Sequence, residues 1–229
     1  MSKASQIIVL CEDKAHEVFI KRFLKKGWGV KPRAIRVPPY PNGKGSGKKH
    51  VVDNISLEAE ALRRRHASTI LLVLQDADEL SVDQVKSNLD AKLLPPRDNN
   101  EPIAYIIPKW HIQTWIAYLD GENVDEAVKT TYKNTYGKIS ELKDAHPFID
   151  KLADKCRENI QLESPPDSLA ATCEEFNRIR NALQGEPAMP RLTPILTIRT
   201  RCGFGIILPT KHSTGFSKCS ASLLIFKTG

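Results

Sequence analysis

The stretch Thr69 to Glu79, TILLVLQDADE, decides the fold. Its first six residues form a short, nearly continuous apolar run rich in β-branched and aliphatic side chains. Such a run describes a strand buried on both faces, as in a parallel sheet. It ends abruptly in Gln75-Asp76-Ala77-Asp78-Glu79. Ser5 to Cys11, SQIIVLC, has the same form and also stops at acid, Glu12-Asp13. Pro102 to Ile107, PIAYII, is a further strand, and Arg33 to Val37 a brief one closed by Pro38-Pro39.

Between these runs the apolar period changes to that of a helix. Ala15, Val18, Phe19, Phe23 and Leu24 mark a helix over Lys14 to Lys26, stopped by Gly27-Trp28-Gly29. Ile55, Ala59 and Leu62 mark another over Val52 to Ala67. Ser81 caps a third, with Val82, Val85, Leu89, Leu93 and Leu94 on its inner face, and Pro95-Pro96 stops it. His111 to Leu119 is a fourth. Strands alternating with helices predict an α/β fold, a parallel four-stranded sheet flanked by helices on both faces.

Past Asp120-Gly121 only helical segments are predicted: Val124 to Tyr132, Ile139 to Leu142, Phe148 to Glu158 and Ser168 to Leu183. The organisation expected is a domain over residues 1–120, a small helical appendage over 121–186, and a basic tail over 187–229. The tail carries no convincing period.

The chain has 229 residues, 41% hydrophobic and 27% charged, an ordinary globular composition. No apolar run reaches the length of a membrane span, and the first residues lack the apolar core of a secretory signal. A cytoplasmic protein with no membrane partner is the expectation. Five scattered cysteines, Cys11, Cys156, Cys173, Cys202 and Cys219, without CxxC or Cys/His zinc spacing, read as small buried apolar residues. The formal charge of +7 is unevenly spread. From Val18 to Val52 there is no acid but ten Lys and Arg residues, among them Arg36, Lys44, Lys48 and Lys49. A one-signed block of this kind attracts polyanions, nucleic-acid backbones foremost, although a solvated helix face and a basic loop have the same composition.

Ligands of parallel α/β sheets collect outside the carboxyl ends of the strands. There the sequence supplies Glu12 and Asp13 after the first strand, Asp76, Asp78 and Glu79 after the third, and Lys109, Trp110 and His111 after the fourth. Carboxylates converging from two strands repel unless a cation neutralises them, and all-oxygen ligation suits Mg²⁺ or Mn²⁺. A hard cation beside a polyanion site is the arrangement of phosphoryl transfer. Taken singly, acids after a strand also serve as helix caps and turn formers.

An apolar strand followed by Glu12, then some sixty residues later an apolar strand followed by Asp76-x-Asp78, resembles the Toprim domain of topoisomerases, primases and OLD-type nucleases. It is most similar to small Toprim proteins of bacterial phage defence, the OLD and RloB groups. In those groups the first motif runs Glu-Gly-x-(Ser/Thr)-(Asp/Glu). Here it reads Glu12-Asp13-Lys14-Ala15-His16-Glu17, with Asp13 in the glycine place and Glu17 available as the later acid. Ile112-Gln113-Thr114-Trp115-Ile116 is similar to a later motif of those groups, with Gln113 in place of glutamate.

The resemblance covers about the first 120 residues. It implies Mg²⁺- or Mn²⁺-dependent nuclease activity on DNA or RNA phosphodiesters and a role as an antiviral defence effector. It also implies an ATPase partner or a homodimer. Asp76 and Asp78 would hold metal, Glu12 would be a metal ligand or general acid/base, and Lys109 would offset phosphate charge at the catalytic site.

Weaker signals surround these. The loop Asn42 to His50, NGKGSGKKH, fails the Walker A pattern and reads as a flexible basic grip for a nucleic-acid backbone through Lys44, Lys48 and Lys49. Of six histidines only His111 falls near the predicted site. Trp110 and Trp115 are read as a helix start packed on the sheet, and Arg63-Arg64-Arg65 as a solvated helix end. Two other readings remain open. One is a Toprim-like module that binds nucleic acid or a partner without cutting. The other is a phosphoacceptor receiver domain, against which the basic block argues.

Overall fold

The computed structural model describes residues 3–39, 47–65, 68–129, 132–136, 145–185, 196–199 and 205–208. The chain divides into two compact units, Met1–Pro187 and Ala188–Gly229. The first is α/β. Four parallel strands, β1 (Gln6–Cys11), β2 (Ile35–Arg36), β3 (Thr69–Leu74) and β4 (Ile103–Ile106), lie in the order β2-β1-β3-β4. Every residue of β3 is buried, because both sheet faces are covered and an alternating polar face would have no water to meet.

The period-two alternation of Cβ directions splits the strands between two cores. On one face Ile7, Val9, Ile70, Leu72 and Ile106 pack beneath α1 (Lys14–Trp28), α4 (Ile112–Asp120), α6 (His146–Glu158) and α7 (Asp167–Arg178). On the other, Ile8, Leu10, Leu71, Val73 and Tyr105 meet α2 (Gly47–Arg64) and α3 (Val82–Asp90). The first core is aromatic at its centre. Phe23 lies 4.6 Å from Phe176 and 5.1 Å from Trp28, centroid to centroid, and Trp115 is fully buried against Phe19. Truncating Phe23 to Ala would remove about 3–5 kcal/mol. The helices beyond residue 120 are thus part of the same core as the sheet, since Ile149, Leu152 and Phe176 are buried with Phe19 and Phe23.

Several boundaries differ from those read in the sequence, each for a local reason. Helix α1 runs through Gly27 to Trp28, because Gly27 packs closely against Ala153 and the stop comes from Gly29, left-handed at φ 61°. Helix α2 begins at Gly47, so the last residues of the glycine-lysine loop are helical. Helix α3 has the predicted Ser81 cap, completed by Gln84 as a capping box, but ends at Asp90 and leaves Leu94 79% exposed rather than on the inner face. Residues 124–129 form no helix. The expected helix over Ile139 to Leu142 lies outside the described residues. The long helix expected from Ser168 breaks at Ile179, giving α7 and α8 (Arg180–Gln184), and α5 (Tyr132–Tyr136) is a single short turn of helix. Arg63 is not simply solvated: it forks onto Glu101 at 2.6 and 3.0 Å. In the second unit β5 (Leu196–Arg199) and β6 (Gly205–Leu208) pair antiparallel. Among the described residues no helix is long and apolar enough to cross a membrane.

Candidate functional site

Hydrogen bonding continues past the formal strand ends and fixes where the acidic residues sit. The register pairs Cys11 with Leu74. Beyond it the Glu12 N–H donates to the Leu74 carbonyl at 3.2 Å, Gln75 N–H to Ile106 O at 3.3 Å, and Ala77 N–H to Pro108 O at 2.8 Å. Glu12 and Asp76 are therefore neighbours across the β1–β3 seam. The Asp76 N–H donates to Glu12 Oε2 at 3.2 Å. Burial raises the Glu12 carboxyl above its ordinary value, and the Asp76 carboxylate adds to the rise.

Two cations already face this pair of carboxylates. His16, on the first turn of α1, is buried with Nε2 3.0 Å from Asp76 Oδ1 and Nδ1 3.2 Å from Asp13 Oδ1. Burial alone would depress its pKa. The Asp76 charge overcomes that, aided by Asp13, and carries His16 up to about 10, so the ring is an imidazolium at neutral pH. Asp13 does the work of a helix cap, accepting from His16 N–H at 2.9 Å. Lys48, in the first turn of α2, donates to Asp78 Oδ2 at 2.5 Å. Gly47 explains how α2 comes so near: a Cβ there would stand 2.5 Å from both the Cγ and the carbonyl oxygen of Glu12, so only glycine fits.

The remaining predicted residues divide. Asp78 takes a left-handed backbone, φ 53°, in the turn after β3. Lys109 Nζ clamps that turn by donating to the carbonyls of Asp78 at 2.8 Å and Leu80 at 2.7 Å, so it braces the loop through main-chain contacts. Lys49 is exposed beside Lys48. Arg36 is engaged in an ion pair with Glu58 at 2.5 Å. Lys44 lies outside the described residues. Glu17, the candidate later acid, is bracketed by Lys14 at 2.9 Å and Lys21 at 2.6 Å. Gln113 is buried on α4, as is Trp115, whose indole N–H donates to Ser168 Oγ.

The histidine in contact with Asp76 is His16, which the sequence reading did not single out. His111 is the cap residue of α4 with its Nδ1 3.2 Å from Thr114 Oγ1. The signal for His16 was its place four residues after Glu12, where a helix following a strand turns its first residues back over the strand end. That placement needs the Asp13 cap to be read first.

Comparison with protein-family models, with curated proteins and with solved structures returns no match. The chemistry rests on this chain's own residues. Among the described residues no group of three or more His, Cys, Asp and Glu side chains stands arranged as a metal site. Of the Glu12 and Asp76 carboxylates, Glu12 Oε2 accepts from the Asp76 N–H and Asp76 Oδ1 meets His16.

Proposed function

We propose that the chain is a Toprim-like, Mg²⁺- or Mn²⁺-dependent nuclease that cleaves DNA or RNA phosphodiesters, acting as an antiviral defence effector. The observation that carries this reading is the adjacency of Glu12 and Asp76 at the carboxyl ends of neighbouring parallel strands, with the basic start of α2 against them. Glu12 and Asp76 would hold the cation, joined by Asp78 once Lys48 turns to a phosphate. The ion would supply charge neutralisation at the scissile phosphate. Lys48 and Lys49, together with Lys44 and Arg36, would grip the backbone, while Lys109 keeps the Asp78 turn in place. In the alternative role Glu12, with its carboxyl raised by burial, would exchange a proton with the attacking or leaving oxygen and leave the cation to Asp76 and Asp78. An ATPase partner or a second copy of the chain completes the proposal.

The decisive assay incubates the full chain with supercoiled plasmid and with single-stranded DNA and RNA, in Mg²⁺, Mn²⁺ or chelator. Metal-dependent cleavage by wild type that is lost in Asp76→Ala supports the proposal. Binding without cleavage by wild type, in every metal condition, overturns it. One observation favours a second reading, a Toprim-like module that binds nucleic acid or a partner without cutting. The His16 imidazolium and the Lys48 ammonium already balance Asp76 and Asp78 without a metal ion.

A further inference from the structure

Helices α6 and α7 bring two cysteines together far from each other in sequence. Cys156, in the last turn of α6, is buried, and Cys173, midway along α7, is partly exposed. Both are free thiols, and their Sγ atoms are 2.9 Å apart across 17 residues of sequence. Sulfurs at that distance are within hydrogen-bond contact and need to close by only about 0.9 Å to reach bonding length. The reading of the cysteines as small buried apolar residues holds for Cys156, whereas Cys173 is partly exposed. From the sequence they looked unrelated, because only the packing of α7 against α6 sets them side by side.

We propose that Cys156 and Cys173 form a thiol–disulfide redox site, with Cys173 the attacking sulfur, Cys156 the resolving sulfur and hydrogen peroxide the oxidant. Accessibility assigns the roles, since a peroxide in solvent reaches Cys173 and not Cys156. The electrostatics agree. The hydrogen bond between the two thiols holds the Cys173 thiol below its ordinary value and pushes Cys156 far up.

In the first step the Cys173 thiolate attacks one peroxide oxygen. The O–O bond breaks, hydroxide leaves and is protonated to water, and Cys173 carries a sulfenic OH. In the second, the Cys156 sulfur attacks that sulfur, the S–O bond breaks, and the departing hydroxide takes up the Cys156 proton as a second water. Two electrons pass from the sulfur pair to the peroxide, so two thiols and one hydrogen peroxide give one disulfide and two waters. Because α6 packs on α1 and α7 on β4, the new bond staples together the helices that cover one face of the sheet. This chemistry does not depend on the nuclease reading.

The test treats the full chain with hydrogen peroxide, blocks remaining thiols by alkylation, and maps peptides by mass spectrometry beside a reduced control. The expected result is the loss of two of the five alkylatable thiols and a Cys156–Cys173 cross-linked peptide, reversed by dithiothreitol. A dimedone-type probe should label Cys173 in Cys156→Ser far more than in wild type. Oxidised wild type should also melt at a higher temperature than reduced. The proposal is overturned if Cys156 and Cys173 stay alkylatable after peroxide, if Cys173 pairs instead with Cys202 or Cys219, or if Cys156→Ser traps no more sulfenic acid than wild type. Peptide mapping of wild type decides the matter should a serine variant fail to fold.

Discussion

The imidazole of His16 meets Asp76 at 3.0 Å and Asp13 at 3.2 Å, so a buried positive charge ties the first turn of α1 to the loop after β3. Breaking a buried pair from one side leaves the other charge without compensation. His16→Ala should therefore lower unfolding free energy by about 3–5 kcal/mol near neutral pH, read from urea melts. The sign with pH follows from the raised value. The stabilisation is complete below the ordinary histidine value of 6.5 and disappears as pH rises through about 10. The gap between wild type and variant should close over that interval. A constant gap from pH 6 to pH 10.5 would show that His16 acts by packing alone.

Glu175 supplies the opposite limb. It accepts from Arg97 and Arg178, each at 2.8 Å, and from the Tyr105 N–H at 3.3 Å, fastening α7 to β4. Burial alone would raise its carboxyl, but Arg178 and Arg97 more than reverse this and hold it below the ordinary 4.5. Its stabilisation is present above 4.5 and lost as pH falls through the lower folded value. Glu175→Gln should flatten the acid side of the stability profile and leave the slope above pH 6 unchanged.

Gly47→Ala tests the closeness of α2 to the acidic pair. The added methyl would stand 2.5 Å from Glu12 Cγ and its carbonyl oxygen, so backbone must shift. Overpacking of this kind removes roughly 1–3 kcal/mol. Divalent-ion affinity should fall with it, measured by calorimetry on protein still folded by circular dichroism. Unchanged stability would mean that α2 starts further from β1.

Lys48→Met removes the ammonium from Asp78. The pair is partly exposed on both sides, 37% and 41%, so its strength is about 0.2–1 kcal/mol. Mn²⁺ affinity should rise by up to roughly fivefold as the competitor goes. Nucleic-acid affinity should fall, with a salt dependence shallower by about one ion. Loss of Mn²⁺ affinity in this variant would show that Lys48 supports the ion site rather than competing for it.

The sheet was legible because TILLVL and QIIVLC are apolar at every step, a pattern that only full burial explains. Glu12 and Asp76 were legible for the same reason, since each stands where an apolar run stops and where strand ladders bring ends together. What escaped was everything set by tertiary approach. Nothing near His16 in sequence shows that Asp76 will face it. Gly47 looks like one more loop glycine until Glu12 is seen against it. Arg36, in the basic block, turns out to answer Glu58 on a neighbouring helix. Cys156 and Cys173 are 17 residues apart on two helices whose crossing the period alone does not fix.

Glu12 and Asp76 are proposed to act together as one receptor for a hard cation. Titration of the full chain with Mn²⁺, followed by loss of the free-ion paramagnetic resonance signal, measures this directly. Wild type should bind one ion per chain, and Glu12→Gln and Asp76→Asn should each abolish that binding while remaining folded. Wild-type protein that leaves Mn²⁺ free, or variants that bind it as well as wild type, would contradict the account.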